Sequence, residues 1–147
     1  MCTGNICRSP FAAGAAVRLG WPAARVVSSG VWAQEGRPCP PPAVEAAETF
    51  GVDLSGHRAR RTRPAELARA RWVAAMEFGQ AAELERLLGE AAEPRPSLLL
   101  LGEYAPGAGV EIPDPYGLAA RAYEAVYRVV WAATEALVEA LRRGEPT

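Results

Sequence analysis

The sequence has 147 residues, half of them hydrophobic, and its formal net charge at pH 7 is −1. A chain of this length buries about two-thirds of its unfolded surface, so we expect a single domain over residues 1–147. The balanced charge excludes the strongly basic surface that is typical of proteins that bind nucleic acid or anionic membranes.

Other features of the composition favour a cytoplasmic protein. No apolar run approaches the roughly 20 residues that span a bilayer, and no charged-then-apolar leader resembles a signal peptide. The three cysteines, Cys2, Cys7 and Cys39, lack the paired spacing of a zinc site or a disulfide framework. We therefore expect neither nucleic acid nor a membrane as a partner.

The first ten residues, Met-Cys-Thr-Gly-Asn-Ile-Cys-Arg-Ser-Pro, are typical of an anion-binding loop. Gly4 and Asn5 tolerate left-handed backbone angles, which let a short loop curl until successive amide N–H groups point inward. Ser9 can cap a helix and Pro10 can open it, so the positive end of that helix would face the same concavity. A phosphate group fits such a site.

Cys2 and Arg8 stand at either end of this loop with five residues between them. Inward amides, a helix N-terminus and a guanidinium all favour thiolate over thiol, and the thiolate is the nucleophile. The planar fork of Arg8 matches two oxygens of a phosphoryl group, whose charge spreads in the transition state. Because the fork and the amides supply the positive charge, no metal or other cofactor is expected.

Helix and strand patterns alternate along the rest of the chain. In order, the sequence predicts a helix over 10–19, a strand over 25–30, a loop over 34–42, a helix over 43–50, a strand over 72–76, a helix over 80–88, a strand over 98–101, a loop over 104–113 and a helix over 118–143. The last helix has apolar residues every three or four positions, at Leu118, Ala122, Val126, Val130, Ala133, Leu137 and Leu141. Strands that follow helices predict βαβ units and a three-layer α/β/α fold with a short parallel sheet.

The string Cys-Thr-Gly-Asn-Ile-Cys-Arg-Ser-Pro at residues 2–10 closely resembles the signature loop of the low-molecular-weight protein tyrosine phosphatases. The resemblance covers nearly the whole chain. It implies the phosphotyrosine protein phosphatase I-like fold and hydrolysis of phosphate monoesters through a cysteinyl-phosphate intermediate, with Cys2 as nucleophile and Arg8 as phosphoryl ligand. The substrate-binding residues of the loop would be Thr3, Gly4, Asn5, Ile6, Cys7 and Ser9.

The segment Ile112-Pro-Asp-Pro-Tyr-Gly117 contains one of only two aspartates in the chain. Cysteine attack on a phosphate monoester needs a proton donor for the leaving oxygen and later a base for water, and one carboxyl can serve both steps. Asp-Pro-Tyr-Gly before a final helix is similar to the family's general-acid loop, which implies these roles for Asp114. The alternative is that Asp114 only shapes a turn or caps the helix.

By the same resemblance, Tyr116 would stack on the ring of a phosphotyrosine, and Trp32 would form another wall of the slot. The alternative for Trp32 is a partly exposed loop aromatic. A deep slot excludes the shorter phosphoserine, whose phosphorus could not reach Cys2.

His57, the only histidine, is interpreted as a supporting residue and not as a general base. The resemblance implies that its imidazole is hydrogen-bonded with Asn5 and Ser29 to hold the unusual backbone of the loop. Ser9 would donate a hydrogen bond to the Cys2 sulfur and ease its departure from phosphorus.

Two further hypotheses concern the surroundings of the loop. Cys7 could form a disulfide with an oxidised Cys2, a protection for which the family is known. The arginines that follow His57 at positions 58, 60, 61 and 63 are most simply a solvated basic stretch, and the alternative is that they attract acidic phosphopeptides.

Only Met1 precedes Cys2, whereas in the family the signature loop follows an apolar strand inside the sheet. That strand would bury about five apolar side chains at roughly 1.5–3 kcal/mol each, a loss comparable with a whole domain's stability of about 5–15 kcal/mol. The first strand is therefore expected to be missing or truncated. Of three explanations, an upstream start, a substitute segment or an impaired relative, we favour the first.

Other functions remain as alternatives. Arsenate reductases of this fold need two further cysteines, and only Cys39 lies outside the loop. Protein arginine phosphatases resemble the family with Thr where this chain has Ile6, and the apolar side chain favours an aryl phosphate. A non-catalytic phosphate-binding module is disfavoured by the joint presence of Cys2, Arg8 and Asp114.

The expected partner is a phosphotyrosine protein or a small aryl phosphate, and a monomer is compatible with the sequence.

Overall fold

The computed structural model describes residues 1–89 and 93–145. Its helices are Arg8–Arg18 (α1), Pro41–Glu48 (α2), Pro64–Leu67 (α3), Phe78–Leu88 (α4) and Ala120–Arg142 (α5), and its strands are Trp72–Ala75 (β1) and Ser97–Leu100 (β2). Single 3₁₀ turns occupy Ala23–Arg25 and Leu101–Tyr104. None of the helices in the described ranges is both long enough and apolar enough to cross a membrane.

The sheet is parallel, as the sequence predicts. β1 and β2 pair in parallel and α4 connects them, which makes one βαβ unit. Beyond β1, within residues 1–89 and 93–145, the parallel arrangement continues only as single bridges, in which Gly30 pairs with Cys2 on one side and with Arg61 on the other. The amine of Met1 donates a hydrogen bond of 2.6 Å to the carbonyl of Ala74 in β1. The start of the sequence thus lies between β1 and the segment around Gly30.

Two clusters of buried side chains lie on opposite faces of this sheet. Successive side chains of a strand point to opposite faces, so Val73 packs with Leu84 of α4 while Ala74 packs with the cluster formed by α1, α2 and α5. Helices therefore cover both faces, and the predicted three-layer α/β/α fold is confirmed.

Helix α5 joins α1 to the first loop through aromatic side chains. The ring of Tyr127 stacks on that of Phe11 with centroids 3.9 Å apart, and both side chains are fully buried. The Tyr127 hydroxyl donates a hydrogen bond of 2.9 Å to the carbonyl of Cys7. Packing of the long helix therefore fixes the end of the loop as well as the core.

The strand predicted over 25–30 is wrong. The 3₁₀ turn takes its first residue, and only Gly30 then forms bridges. Of the two adjacent valines in this segment, Val26 and Val27, the second is 70% exposed, so the two do not both bury their side chains. High β-propensity without a continuous partner does not make a strand.

Two other sequence predictions need correction. Helix α2 begins at Pro41, inside the predicted loop, because the fixed φ of proline suits the first turn of a helix. The apolar stripe predicted for α5 contains the buried Val130 and Ala133 but misses Tyr123 and Tyr127. Tyrosine is often only partly buried, and here both hydroxyls find polar partners inside the protein.

Two helical glycines offer a matched test of packing against helix propensity. A Cβ on Gly14 of α1 would lie 2.4 Å from Cγ1 of the buried Val52, whereas a Cβ on Gly79 of α4 would meet nothing within 4 Å. We expect Gly14→Ala to lower the free energy of unfolding by about 1–3 kcal/mol through overpacking. Gly79→Ala should raise it by up to about 1 kcal/mol, because alanine is the better helix former. Urea denaturation measures both changes, and a stabilised Gly14→Ala would contradict the packing described here.

Candidate active site

The first loop curls around the sulfur of Cys2, as the sequence predicts. The Cys2 Sγ lies 2.9 Å from the hydroxyl of Ser9 and accepts a hydrogen bond of 3.3 Å from the N–H of Asn5. Cys2 and Ser9 are each only 2% exposed. The sulfur is therefore buried and is contacted by two polar groups, the Ser9 hydroxyl and the N–H of Asn5.

Several backbone N–H groups of this loop have no hydrogen-bond acceptor within the described ranges. Within the described part of the chain, no hydrogen bond is donated by the N–H groups of Thr3, Gly4, Ile6 and Cys7. Ile6 and Cys7 are buried, and buried backbone N–H groups are nearly always paired in proteins. Consecutive unpaired donors around a thiol form a concave site for an anion.

The helix after the loop begins two residues earlier than predicted. α1 starts at Arg8 with Cys7 as its N-cap residue, so Ser9 does not cap the helix and Pro10 lies inside its first turn. A proline is still tolerated there, because N–H groups of the first turn have no partner within the helix. This leaves the hydroxyl of Ser9 available to the Cys2 sulfur.

Asn5 holds the loop in shape. Its φ of 55° makes it the one non-glycine residue with positive φ in the described ranges, and of the two residues expected to tolerate left-handed angles, Asn5 and not Gly4 adopts one. The side-chain amide of Asn5 donates to the hydroxyls of Ser9 and Ser28 at 2.9 and 3.0 Å. Its Oδ1 accepts a hydrogen bond of 3.0 Å from the N–H of Arg60. Three separate segments therefore fix one side chain.

The Ser9 hydroxyl lies between Asn5 and Cys2. Its oxygen accepts a hydrogen bond from the side-chain amide of Asn5, and it keeps its own proton and a second lone pair for the Cys2 sulfur. Either atom of the Ser9–Cys2 contact can donate when the sulfur is protonated, and the hydroxyl donates when the sulfur is a thiolate. Ser9 therefore lies where the role predicted for it requires.

His57 supports the loop through its backbone. Its Nε2 lies 2.7 Å from the carbonyl oxygen of Asn5, and since a carbonyl only accepts, Nε2 carries the proton. Burial lowers the pKa of His57, against a smaller raising effect of this hydrogen bond. Ser29 does not take the part predicted for it: its hydroxyl lies 2.7 Å from that of Thr62, and Ser28 binds Asn5 instead. Ser28 and Ser29 have different partners because neighbouring side chains of an extended segment point in opposite directions.

Arg8 reaches from the loop to the carboxyl end of β1 and is 1% exposed. Its Nη1 donates to the carboxylate of Glu77 and, at 2.6 Å, to the carbonyl of Ile112, while Nη2 lies 3.6 Å from Oδ2 of Asp114. The Nε is buried and has no partner in the described ranges. Nε and Nη2 share one edge of the guanidinium, so this edge can bind two oxygens of an anion.

The sequence analysis missed two residues that hold the loop against the sheet. Glu77 binds Arg8 and caps α4. Gln80 donates a hydrogen bond of 3.1 Å to the hydroxyl of Thr3, and its Oε1 accepts from the N–H groups of Met76 and Glu77. Their position directly after β1 was the available signal, because ligand sites in parallel α/β proteins lie at the carboxyl ends of strands.

Gly30, the last residue of the strand predicted over 25–30, lets the first loop approach this segment. A Cβ on Gly30 would lie 2.5 Å from the carbonyl oxygen of Thr3 and 2.8 Å from the backbone nitrogen of Asn5. The loop can approach this segment only because the residue has no side chain.

A cleft of about 210 Å³ opens above the loop. It is lined by Cys2, Thr3, Gly4, Ile6, Cys7, Arg8, Trp32, Arg37, Asp114 and Tyr116. The structure thus brings both predicted wall residues, Trp32 and Tyr116, to the same cleft, and each is about half exposed. The N–H of Trp32 donates to the carbonyl of Thr3 at 3.1 Å, which ties this wall to the loop. Arg37 was not predicted.

Asp114 enters the cleft from the loop before α5. Its Oδ1 accepts a hydrogen bond of 3.1 Å from the N–H of Tyr116, so the carboxylate does shape a turn. Its other oxygen faces Arg8, and the side chain is 46% exposed. Shaping the turn and reaching the anion site are therefore compatible, and the carboxyl can exchange protons with water.

The described cysteines are all free. Burial raises the pKa of Cys7 to about 11, and its Sγ lies 3.5 Å from the hydroxyl of Tyr123. Burial likewise raises the pKa of Cys39 to about 12. A disulfide between Cys2 and Cys7 stays a prediction.

The chain is similar to known phosphatases over nearly its full length. A family model described as low molecular weight phosphotyrosine protein phosphatase matches residues 1–146. The low molecular weight protein-tyrosine-phosphatase Etp of Escherichia coli K12 is 35% identical over 144 residues, which cover 97% of this chain and 93% of Etp.

Solved structures agree with this. The tyrosine phosphatase Wzb from Escherichia coli K30, in complex with sulphate, has a TM-score of 0.83 at 32% identity, covering 95% of this chain and 94% of Wzb. The YwlE arginine phosphatase from Geobacillus stearothermophilus also has a TM-score of 0.83, at 27% identity, covering 97% of this chain and 90% of YwlE. The fold alone therefore does not separate the two substrate classes.

The support by His57 should be visible as a pH dependence of stability. The pKa of His57 is lower in the folded chain than its ordinary value of 6.5. The stabilisation of the folded state by the neutral imidazole is therefore complete above about pH 6.5 and is lost as the pH falls through the folded-state pKa.

His57→Gln keeps an Nε2 donor for Asn5 but cannot titrate. Between about pH 7.5 and 5.5, urea unfolding should show a smaller loss of stability in His57→Gln than in the unsubstituted protein. Equal losses would contradict a buried neutral imidazole.

Proposed function

The chain belongs to the low molecular weight phosphotyrosine protein phosphatase family, and we propose that it removes phosphate from protein phosphotyrosine through a cysteinyl-phosphate intermediate. One observation carries the proposal: the Cys2 sulfur, the free edge of Arg8 and the Asp114 carboxyl meet at a single cleft. They supply a nucleophile, a ligand for phosphoryl oxygens and a proton donor, which are the groups that this reaction needs.

In the first step, the Cys2 thiolate attacks phosphorus and the bond to the tyrosine oxygen breaks. The leaving oxygen takes the proton of the Asp114 carboxyl, so the tyrosine departs as a neutral phenol. The Nε and Nη2 of Arg8 bind two phosphoryl oxygens, and the unpaired N–H groups of the loop bind the charge that develops on them. Arg8 is already held by Glu77, so little reorganisation is needed.

In the second step, the Asp114 carboxylate takes a proton from water, and the water oxygen attacks the phosphorus of the intermediate. The phosphorus–sulfur bond breaks, and the electron pair returns to Cys2 as a thiolate. The hydroxyl of Ser9 and the N–H of Asn5 donate hydrogen bonds to that sulfur. Both donors are in place before the step and stabilise the leaving thiolate.

The cleft walls favour an aryl phosphate. Trp32 and Tyr116 present aromatic surface above the loop, and the apolar side chain of Ile6 lines the cleft beneath them. A flat phenyl ring can make offset or edge contacts with such walls, worth about 0.5–1.5 kcal/mol beyond buried area. Phosphoarginine is the second candidate, because the arginine phosphatase YwlE has the same fold. The apolar Ile6 next to the phosphate supports phosphotyrosine instead.

The proposal extends to the setting of the enzyme. A cytoplasmic location is supported by the need to keep the Cys2 nucleophile reduced. The nucleophile, the phosphoryl ligand and the proton donor all belong to one domain of this chain, so the proposed reaction requires no second copy. Small aryl phosphates would be accepted alongside phosphotyrosine proteins, since the cleft requires only the ring and the phosphate.

The two aspartates of the chain provide a matched experiment. Hydrolysis of para-nitrophenyl phosphate is measured for the unsubstituted protein, Cys2→Ser, Asp114→Asn and Asp53→Asn. Cys2→Ser should abolish turnover, and Asp114→Asn should lower kcat by about 10²–10⁴-fold, the usual worth of general acid catalysis. Asp53→Asn is the control, because the Asp53 carboxylate only binds Ser55 on the surface, and it should keep full activity.

Two results would contradict the proposal. Turnover that survives Cys2→Ser would exclude the covalent intermediate. Binding of inorganic phosphate by the unsubstituted protein without any hydrolysis would indicate a non-catalytic binding module. A higher kcat/KM on phosphoarginine peptides than on phosphotyrosine peptides would assign the second candidate function.

A further inference from the structure

Arg37 lines the cleft but takes no part in the two steps above. Its side chain is exposed, and its Nη2 donates a hydrogen bond to the hydroxyl of Tyr116. Its guanidinium carbon also lies 5.2 Å from the centre of the Tyr116 ring, a cation–π distance. Arg37 is therefore held against a wall of the cleft, at its solvent side.

The backbone around Arg37 is fixed on both sides. The N–H of Arg37 donates to the carbonyl of Gln34 at 3.3 Å, and its carbonyl accepts a hydrogen bond of 2.8 Å from the N–H of Ala59. Gly36 precedes it in a left-handed turn with φ 79°, and Pro38 follows. A side chain on such a segment is already positioned before a ligand binds.

The charges of the cleft are unevenly compensated. Among its lining residues, Arg8 and Arg37 are the cations and Asp114 is the acid. Arg8 is paired with Glu77 and faces Asp114. Arg37 makes no ion pair within the described ranges, and the group to which it donates, on Tyr116, is a hydroxyl and not a carboxylate. An uncompensated positive charge therefore lies at the mouth.

We propose that Arg37 is a specificity-determining residue that binds a carboxylate next to the phosphotyrosine, so that acidic phosphotyrosine segments are the preferred substrates. This inference rests on the proposed function. The phosphate occupies the loop and the edge of Arg8 at the base of the cleft, so a group at the mouth meets the neighbours of the phosphotyrosine in the peptide. A guanidinium can bind a carboxylate through two parallel hydrogen bonds.

The arginines after His57 are less suited to this task. Arg60 is paired with Glu66, and Arg63 lies 3.8 Å from Glu35. Neither of them lines the cleft, and neither does Arg61. We therefore assign the recognition of acidic substrates to Arg37 and not to the arginines after His57.

The test compares two phosphotyrosine peptides that differ only beside the phosphotyrosine, where one has glutamate on both sides and the other has glutamine. kcat/KM is measured at low ionic strength for the unsubstituted protein, Arg37→Gln and Arg61→Gln. The unsubstituted protein should prefer the glutamate peptide by about two- to fivefold, the effect of an exposed ion pair. In Arg37→Gln the ratio of kcat/KM for the glutamate peptide to kcat/KM for the glutamine peptide should fall to about one. This holds even if the substitution changes both values. Arg61→Gln should keep the preference.

Three outcomes would overturn the inference. They are equal kcat/KM for both peptides in the unsubstituted protein, a preference that survives Arg37→Gln, and a preference that Arg61→Gln removes as fully as Arg37→Gln does. Failure of the unsubstituted protein to hydrolyse either peptide or para-nitrophenyl phosphate would instead overturn the proposed function.

Discussion

The conformation of one asparagine is the constraint on which the site depends. A non-glycine residue with positive φ costs of order 1–3 kcal/mol and persists only where its surroundings enforce it. Asn5 uses every polar group it has: its N–H binds Cys2, its carbonyl binds His57, and its side chain binds Ser9, Ser28 and the N–H of Arg60. These bonds come from segments far apart in the sequence, so the loop has its active shape only when the whole domain is folded.

Arg8 makes the second connection, between the loop and the sheet. A buried guanidinium is tolerated only where acceptors compensate its charge. Glu77 and the carbonyl of Ile112 do so through Nη1, while the edge formed by Nε and Nη2 faces Asp114 and is the one we propose for the phosphoryl group. Since Glu77 also caps α4, the residue that orients Arg8 is itself fixed by a helix. The guanidinium is thus held in place without a ligand, which is the preorganisation that electrostatic catalysis requires.

The sequence predicted those parts of the site that depend on local chemistry. The first loop is one continuous string, and Asp114 stands out among few aspartates, so both could be found without coordinates. The strands β1 and β2 were found because buried parallel strands are apolar throughout. The long α5 was found from its periodicity, which is strong over many turns.

The remaining parts of the site could not be found in this way because they depend on contacts over long distances. Glu77 lies 69 residues from Arg8 in the chain, and Arg37 lies 79 residues from Tyr116. The choice between Ser28 and Ser29 depended on which face of an extended segment meets Asn5. The role of Gly30 could not be predicted either. Nothing in the neighbouring sequence shows that the first loop lies so close that a Cβ on Gly30 would overlap it.

The protonated state of the two other cysteines has a practical consequence for chemical modification. With pKa values of about 11 and 12, Cys7 and Cys39 remain thiols at neutral pH. Alkylating and disulfide-forming reagents attack thiolates. Cys7 and Cys39 are also buried, so an alkylating reagent used at neutral pH should leave both of these cysteines unmodified.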